Sequence, residues 1–122
     1  MARTAVAYSN FVANSNLSDP AGTALDATND HTIAAARPEL TMLRITNTAG
    51  ADKIVTIKAG GGDPAWRRGQ GDLTVTVTAT TGVQWIGPLS SARFLQTDGS
   101  LQIDIASGHT GTITAFKLPR AT

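Results

Sequence analysis

A tryptophan followed by two arginines, Trp66-Arg67-Arg68, is the cluster in this 122-residue chain best equipped to stack on a flat group and hold a negative charge at once. A nucleic-acid base can lie on an indole while guanidinium groups neutralise phosphate. The charge balance argues against that use. Ten Lys and Arg stand against nine Asp and Glu, a net charge of +1, too weak a field to gather nucleic acid or an anionic membrane. Trp and Arg are also the side chains that most often anchor protein interfaces. A protein contact is therefore the reading adopted for this trio, with an internal ion pair to Asp63 or Asp72 as the alternative. The glycines just upstream, in Lys58-Ala-Gly-Gly-Gly-Asp-Pro, lack the following lysine and helix that a phosphate-binding loop needs.

The other reactive side chains do not converge. His31 and His109 are the only histidines, too few for a three-histidine zinc site and outside any HExxH arrangement. Asp26, Asn29 and Asp30 fall together in DATND, but without the ligand spacing, glycine and closing glutamate of a calcium loop. An Asx-rich turn is expected there. Ser90, Ser91, Ser100 and Ser107 sit in turn-like contexts without a G-x-S-x-G elbow. Spacing leaves Asp98 with Asp104 open as a carboxylate pair for glycoside hydrolysis. Zero cysteines remove disulfides, thiolate metal sites and cysteine nucleophiles. No enzyme, metal or cofactor is expected. Trp66 or Trp85 could alternatively form a sugar-stacking platform; the ordinary assignment is one indole in the core and the other at an interface.

The elements that must position these residues are strands. One glutamate, Glu39, occurs in the chain, against many threonines, valines and alanines and 12 glycines, an alphabet that fits short pleated strands and turns. Leu43 and Ile45 alternate with Met42 and Arg44, and Val55 and Ile57 with Thr56 and Lys58. Leu73, Val75, Val77 and Ala79 alternate with Thr74, Thr76, Thr78 and Thr80, and Leu101, Ile103 and Ile105 with Gln102 and Asp104. Each alternation predicts a strand buried on one face. Ala92 and Phe94 mark a further strand, and in Thr112–Leu118 both faces carry apolar residues. AGAD (49–52) and TDGS (97–100) predict hairpin turns.

About eight runs of this kind, without repeat or linker, predict one all-β domain, an antiparallel β-sandwich of jelly-roll-like topology over residues 31–122. Residues 1–30 are mostly polar and irregular, and predict an extended N-terminal arm that becomes ordered along a neighbouring subunit. Its aromatic residues Tyr8 and Phe11, with Trp66, Arg67 and Arg68, are the candidate partner contacts. Polar residues interrupt every apolar run of the N-terminal stretch, so neither a signal sequence nor a membrane span is expected.

The series Arg37-Pro-Glu, LRITNT (43–48), VTIKAG (55–60), GQGDLTVTV (69–77), GVQWIGPLSSARF (82–94), DGSLQIDI (98–105) and GTITAFKLP (111–119) resembles the capsid decoration, or cement, proteins of tailed bacteriophages of actinobacteria. The likeness spans about residues 32–119 and carries no short functional motif. It implies a β-rich homotrimer, made in the host cytoplasm, that sits on the outer capsid surface and stabilises the lattice of its partner, the major capsid protein. A carbohydrate-binding sandwich on a virion or cell surface, and a head-tail or tail structural protein, are the alternatives.

Overall fold

The computed structural model describes residues 3–34, 36–60, 71–96 and 98–119. Ten strands follow one another: β1 (Thr4–Ala5), β2 (Tyr8–Asn10), β3 (Thr23–Ala24), β4 (His31–Ile33), β5 (Thr41–Asn47), β6 (Lys53–Ile57), β7 (Leu73–Val77), β8 (Gly82–Ile86), β9 (Leu101–Ile105) and β10 (Thr112–Lys117). They form two sheets packed face to face. One has the order β1-β4-β9-β6-β7; the other has β2-β10-β5-β8, with β3 sharing an edge of β10.

The antiparallel pairs nest. β6 pairs with β7, β5 with β8, β4 with β9 and β3 with β10. A long hairpin folded across two sheets produces this nesting, which is the jelly roll. The all-β sandwich expected from the alternation is what the chain forms. Its inward residues are the expected ones: Leu43, Ile45, Val55, Ile57, Val77, Leu101 and Ile103 are all fully buried. Each such side chain taken from water contributes about 1.5–3 kcal/mol. Leu73 and Val75 pack on this core from its margin.

Alternation gives a residue's face but not its strand's partner, and two expected hairpins are corrected here. β5 and β6 lie in different sheets, so AGAD carries the chain across the sandwich. Asn47, 1% exposed, holds that crossing: its Nδ2 donates to the carbonyls of Ala51 and Val77, both at 3.0 Å, and its Oδ1 accepts the Ala49 N–H. The turn before β9 likewise follows no strand of the same hairpin, because β9 pairs with β4 and β6.

The strand expected around Ala92 and Phe94 is a single helical turn, α1 (Ser91–Phe94). The carboxylate of Glu39 accepts both the Ser91 N–H (2.9 Å) and its hydroxyl (2.6 Å), satisfying orphan donors at the start of the turn. Phe94 is buried at 3% exposure.

The stretch expected as a separate arm is built into the sandwich. β1 runs parallel to β4 and β2 parallel to β10, the only parallel pairs among the described residues. Residues 4–10 thus pass from the edge of one sheet to the edge of the other. Val6, 3% exposed, fills the gap between them. At one side of each sheet they cover ladder groups of β4 and β10 that would otherwise be open to another chain.

Candidate docking surface

The outward face of the β2-β10-β5-β8 sheet gathers the aromatic side chains. Register sets Phe116 opposite Met42 and Arg44 opposite Trp85. Because Ile86 pairs with Leu43 on the inner face, the period of two turns Trp85 and Val83 outward. Trp85 is therefore no core indole; it is 54% exposed, and Val83 is 47% exposed. The Trp85 ring stacks on Phe116 with centroids 5.5 Å apart, and Phe116 stacks on Phe11 at 5.4 Å. The Arg44 guanidinium lies 5.8 Å from the Trp85 centroid and 5.5 Å from that of Phe116.

Arg44 also fastens the chain between β2 and β3 across this face. It pairs with Asp19 and donates to the Pro20 carbonyl at 2.8 Å. This crossing explains why Thr114 and Phe116, which point away from the core, are buried at 3%. Both faces of β10 are covered, as its sequence implied. Phe11 remains 37% exposed at the margin of the stack, and Val12 beyond it is 63% exposed.

Tyr8 has a mainly structural place. Its hydroxyl bonds with the Thr41 hydroxyl at 2.7 Å and accepts the Arg37 N–H at 3.0 Å. The remaining expected contacts, Trp66, Arg67 and Arg68, lie outside the described residues, as does Asp63. Asp72 pairs with Lys58 at 3.0 Å and accepts the Ala59 N–H at 2.6 Å; the Ala59 bond above all holds its carboxyl below the usual range.

The titratable groups weighed for chemistry serve as internal fasteners. Fully buried His31 accepts the Asp26 N–H through Nε2 at 3.0 Å, so its Nδ1–H donates to the Thr4 carbonyl at 3.2 Å. Burial pushes its imidazole below the ordinary histidine value. Asp26 accepts from the Thr4 hydroxyl at 2.6 Å, from the amides of Thr28 and Asn29, and from the Asn29 side chain. Led by the Thr4 bond, these lower its pKa to about 2. Asp30 accepts the Ile105 N–H at 2.7 Å. DATND is thus an Asx turn whose oxygens face inward to the chain's own donors.

His109, 2% exposed, directs Nε2 at the Thr46 carbonyl (3.1 Å), and burial lowers its pKa too. Asp98 bonds the Ser100 hydroxyl at 2.6 Å, and Asp104 pairs with Arg3 at 2.7 Å. Among the described residues no three His, Asp or Glu side chains are grouped to hold a metal ion. What the arrangement offers is stacking and apolar contact on a rigid sheet.

Sequence reasoning missed Val12 and Val83 as exposed apolar residues. The position of Val83 two residues before Trp85 on one strand is the signal that links them. Comparison with protein-family models, with curated proteins and with solved structures finds no match to this chain.

Proposed function

We propose that the chain is a structural virion protein of a tailed phage, docking as a homotrimer on the outside of the assembled capsid and stabilising the major capsid protein lattice. The observation that carries the reading is the aromatic stack on an outward sheet face, in which Trp85 and Phe11 stay 54% and 37% exposed although Phe116 between them is buried. Large rings held in place by their neighbours lose little freedom on binding, which is what makes aromatic anchors effective at interfaces. The sequence resemblance over residues 32–119 supplies the identity of the surface they meet.

Binding the assembled lattice and not its free subunits stabilises the shell by mass action. Three linked copies raise the effective concentration of each contact. The protein is synthesised in the host cytoplasm and resides on the outer capsid surface. A density map of purified particles, with light scattering of the free protein, tests this reading. Density for the sandwich on the shell and a trimeric mass are expected. A particle without the chain, or with one ring of copies at the portal, overturns it; the second result assigns it to the head-tail junction.

A second reading, carbohydrate binding, is favoured by one feature: Trp85 is a half-exposed indole backed by Phe116 and Arg44. Titration of tryptophan emission with polysaccharides tests it. A saturable change lost in Trp85→Ala supports sugar binding, and a flat titration removes it.

A further inference from the structure

A groove of about 480 Å³ opens where β2 leaves β10, between the chain at Phe11–Ala13 and the chain at Leu118 and Pro119. Its walls are apolar, with Phe11, Val12, Leu40 and Leu118 lining it. Among the described residues Arg37 and Lys117 stand at the groove, and no carboxylate does. The Arg37 side chain makes no hydrogen bond or ion pair among the described residues; Lys117 lies 5.9 Å over the Tyr8 ring. The amide N–H groups of Val12 and Ala13 donate to no acceptor among the described residues.

We propose that this groove docks an extended segment of a partner protein carrying an apolar side chain next to an acidic one. Two cations and the open N–H groups of Val12 and Ala13, with no carboxylate beside them among the described residues, call for an occupant that brings acceptor oxygens and negative charge. Arg37 presents a planar fork that matches a carboxylate. Val12, exposed over most of its surface, calls for an apolar side chain beside that charge. An alkyl lipid would answer the apolar wall with one terminal acid, but it has no backbone carbonyl to meet the Val12 or the Ala13 N–H. An extended peptide has both, and seating an extended segment through its main chain and alternate side chains is an established mode of recognition. The groove shares Phe11 with the stack but is argued from Arg37, Lys117 and Val12, which the shell reading does not use.

The test is titration of the ¹⁵N-labelled full chain with three peptides: acetyl-Asp-Leu-Asp-Phe-amide, its Lys-Leu-Lys-Phe counterpart and the apolar-free Asp-Ser-Asp-Ser peptide. The acidic, apolar peptide should shift the amides of Val12, Ala13 and Leu118, and bind roughly tenfold or more tightly than either control. Arg37→Glu combined with Lys117→Glu should reverse the charge preference. Val12→Asp, at an exposed position, supplies a second variant that keeps the fold and should weaken binding of the acidic peptide. Shifts that fall elsewhere, equal binding of the basic peptide, or undiminished binding to the charge-reversed chain overturn the proposal. Self-association quenching the same amides without peptide also overturns it, by making a second copy the occupant.

Discussion

The imidazole of His31 accepts a hydrogen bond from the Asp26 amide at 3.0 Å, and an amide can only donate. The neutral ring is therefore built into the turn, with Nδ1–H turned to the Thr4 carbonyl on β1. Three segments, the first strand, the 26–30 turn and β4, meet on one uncharged ring. Protonation would put a donor against a donor in a buried place. Arg3 lies near the ring, while Asp26 and Asp30 offset part of the effect by favouring the charged form.

Acid should weaken the fold in two windows. Both histidines have folded values below the unfolded one of about 6.5. The unfolded chain then binds protons first, so their contribution is present above about pH 6.5 and is lost as pH falls through the folded values. Asp26, near 2, and Glu39, Asp72 and Asp98, all lowered by hydrogen bonds, contribute stability lost only below about pH 4. Urea midpoints should begin to fall as pH drops below about 6.5, and fall further below about 4. His31→Gln should flatten the first step in part, leaving the share of His109.

Asn47→Ala should destabilise by about 2–4 kcal/mol, because it empties a buried site and leaves the Val77 and Ala51 carbonyls without their donor. Denaturant unfolding measures the loss. An effect under about 0.5 kcal/mol would mean that the crossing between the sheets does not depend on this side chain.

Gly111→Ala should cost about 1–3 kcal/mol or more. Its φ is +135°, and a Cβ there would stand 2.4 Å from the Thr46 carbonyl oxygen, a backbone atom that cannot swing aside. Gly50→Ala, where a Cβ meets nothing within 4 Å, is the control, with a thermal midpoint close to that of the parent.

Removing residues 2–25 should lower stability by several kcal/mol. The deletion uncovers what Val6 seals, takes the Thr4 carbonyl from His31 and strips the cover from Phe116; burial of Val6 alone is worth about 1.5–2 kcal/mol. Calorimetry of the truncated chain decides whether the stretch is part of the fold. An unchanged midpoint would restore the reading of a free arm.

Trp85→Ala should leave the fold intact and cost about 1 kcal/mol, the worth of an aromatic pair. Far-ultraviolet dichroism and a melt check this. Under the proposed capsid-docking function, shell occupancy measured on particles should fall by far more than this loss of stability explains.

How much of this was legible follows residue by residue. Leu43, Ile45, Val55, Ile57, Leu101 and Ile103 declared their faces by alternation, because successive side chains of a strand point oppositely and only one face is dry. The candidate surface was legible only in part: Phe11 was named as a contact and Trp85 as a platform, but nothing in the spacing said that they share one stack with Phe116. That meeting depends on β8, β5, β10 and β2 lying side by side, from chain positions more than a hundred residues apart.

The sequence by itself determined the class: strands without long helices, a core of branched aliphatics, no cysteine chemistry, and a charge balance close to neutral. These are properties of residue type and local period, and need no partner to be read. The tertiary structure alone decided which strand lies beside which, and so turned two expected hairpins into sheet crossings and residues 4–10 into sealing strands. The physical reason is that a strand's hydrogen-bonding groups are the same along every sequence. Its choice of neighbour comes from how all the buried faces close together, and from single side chains such as Asn47, His31 and Glu39 whose bonds span distant segments.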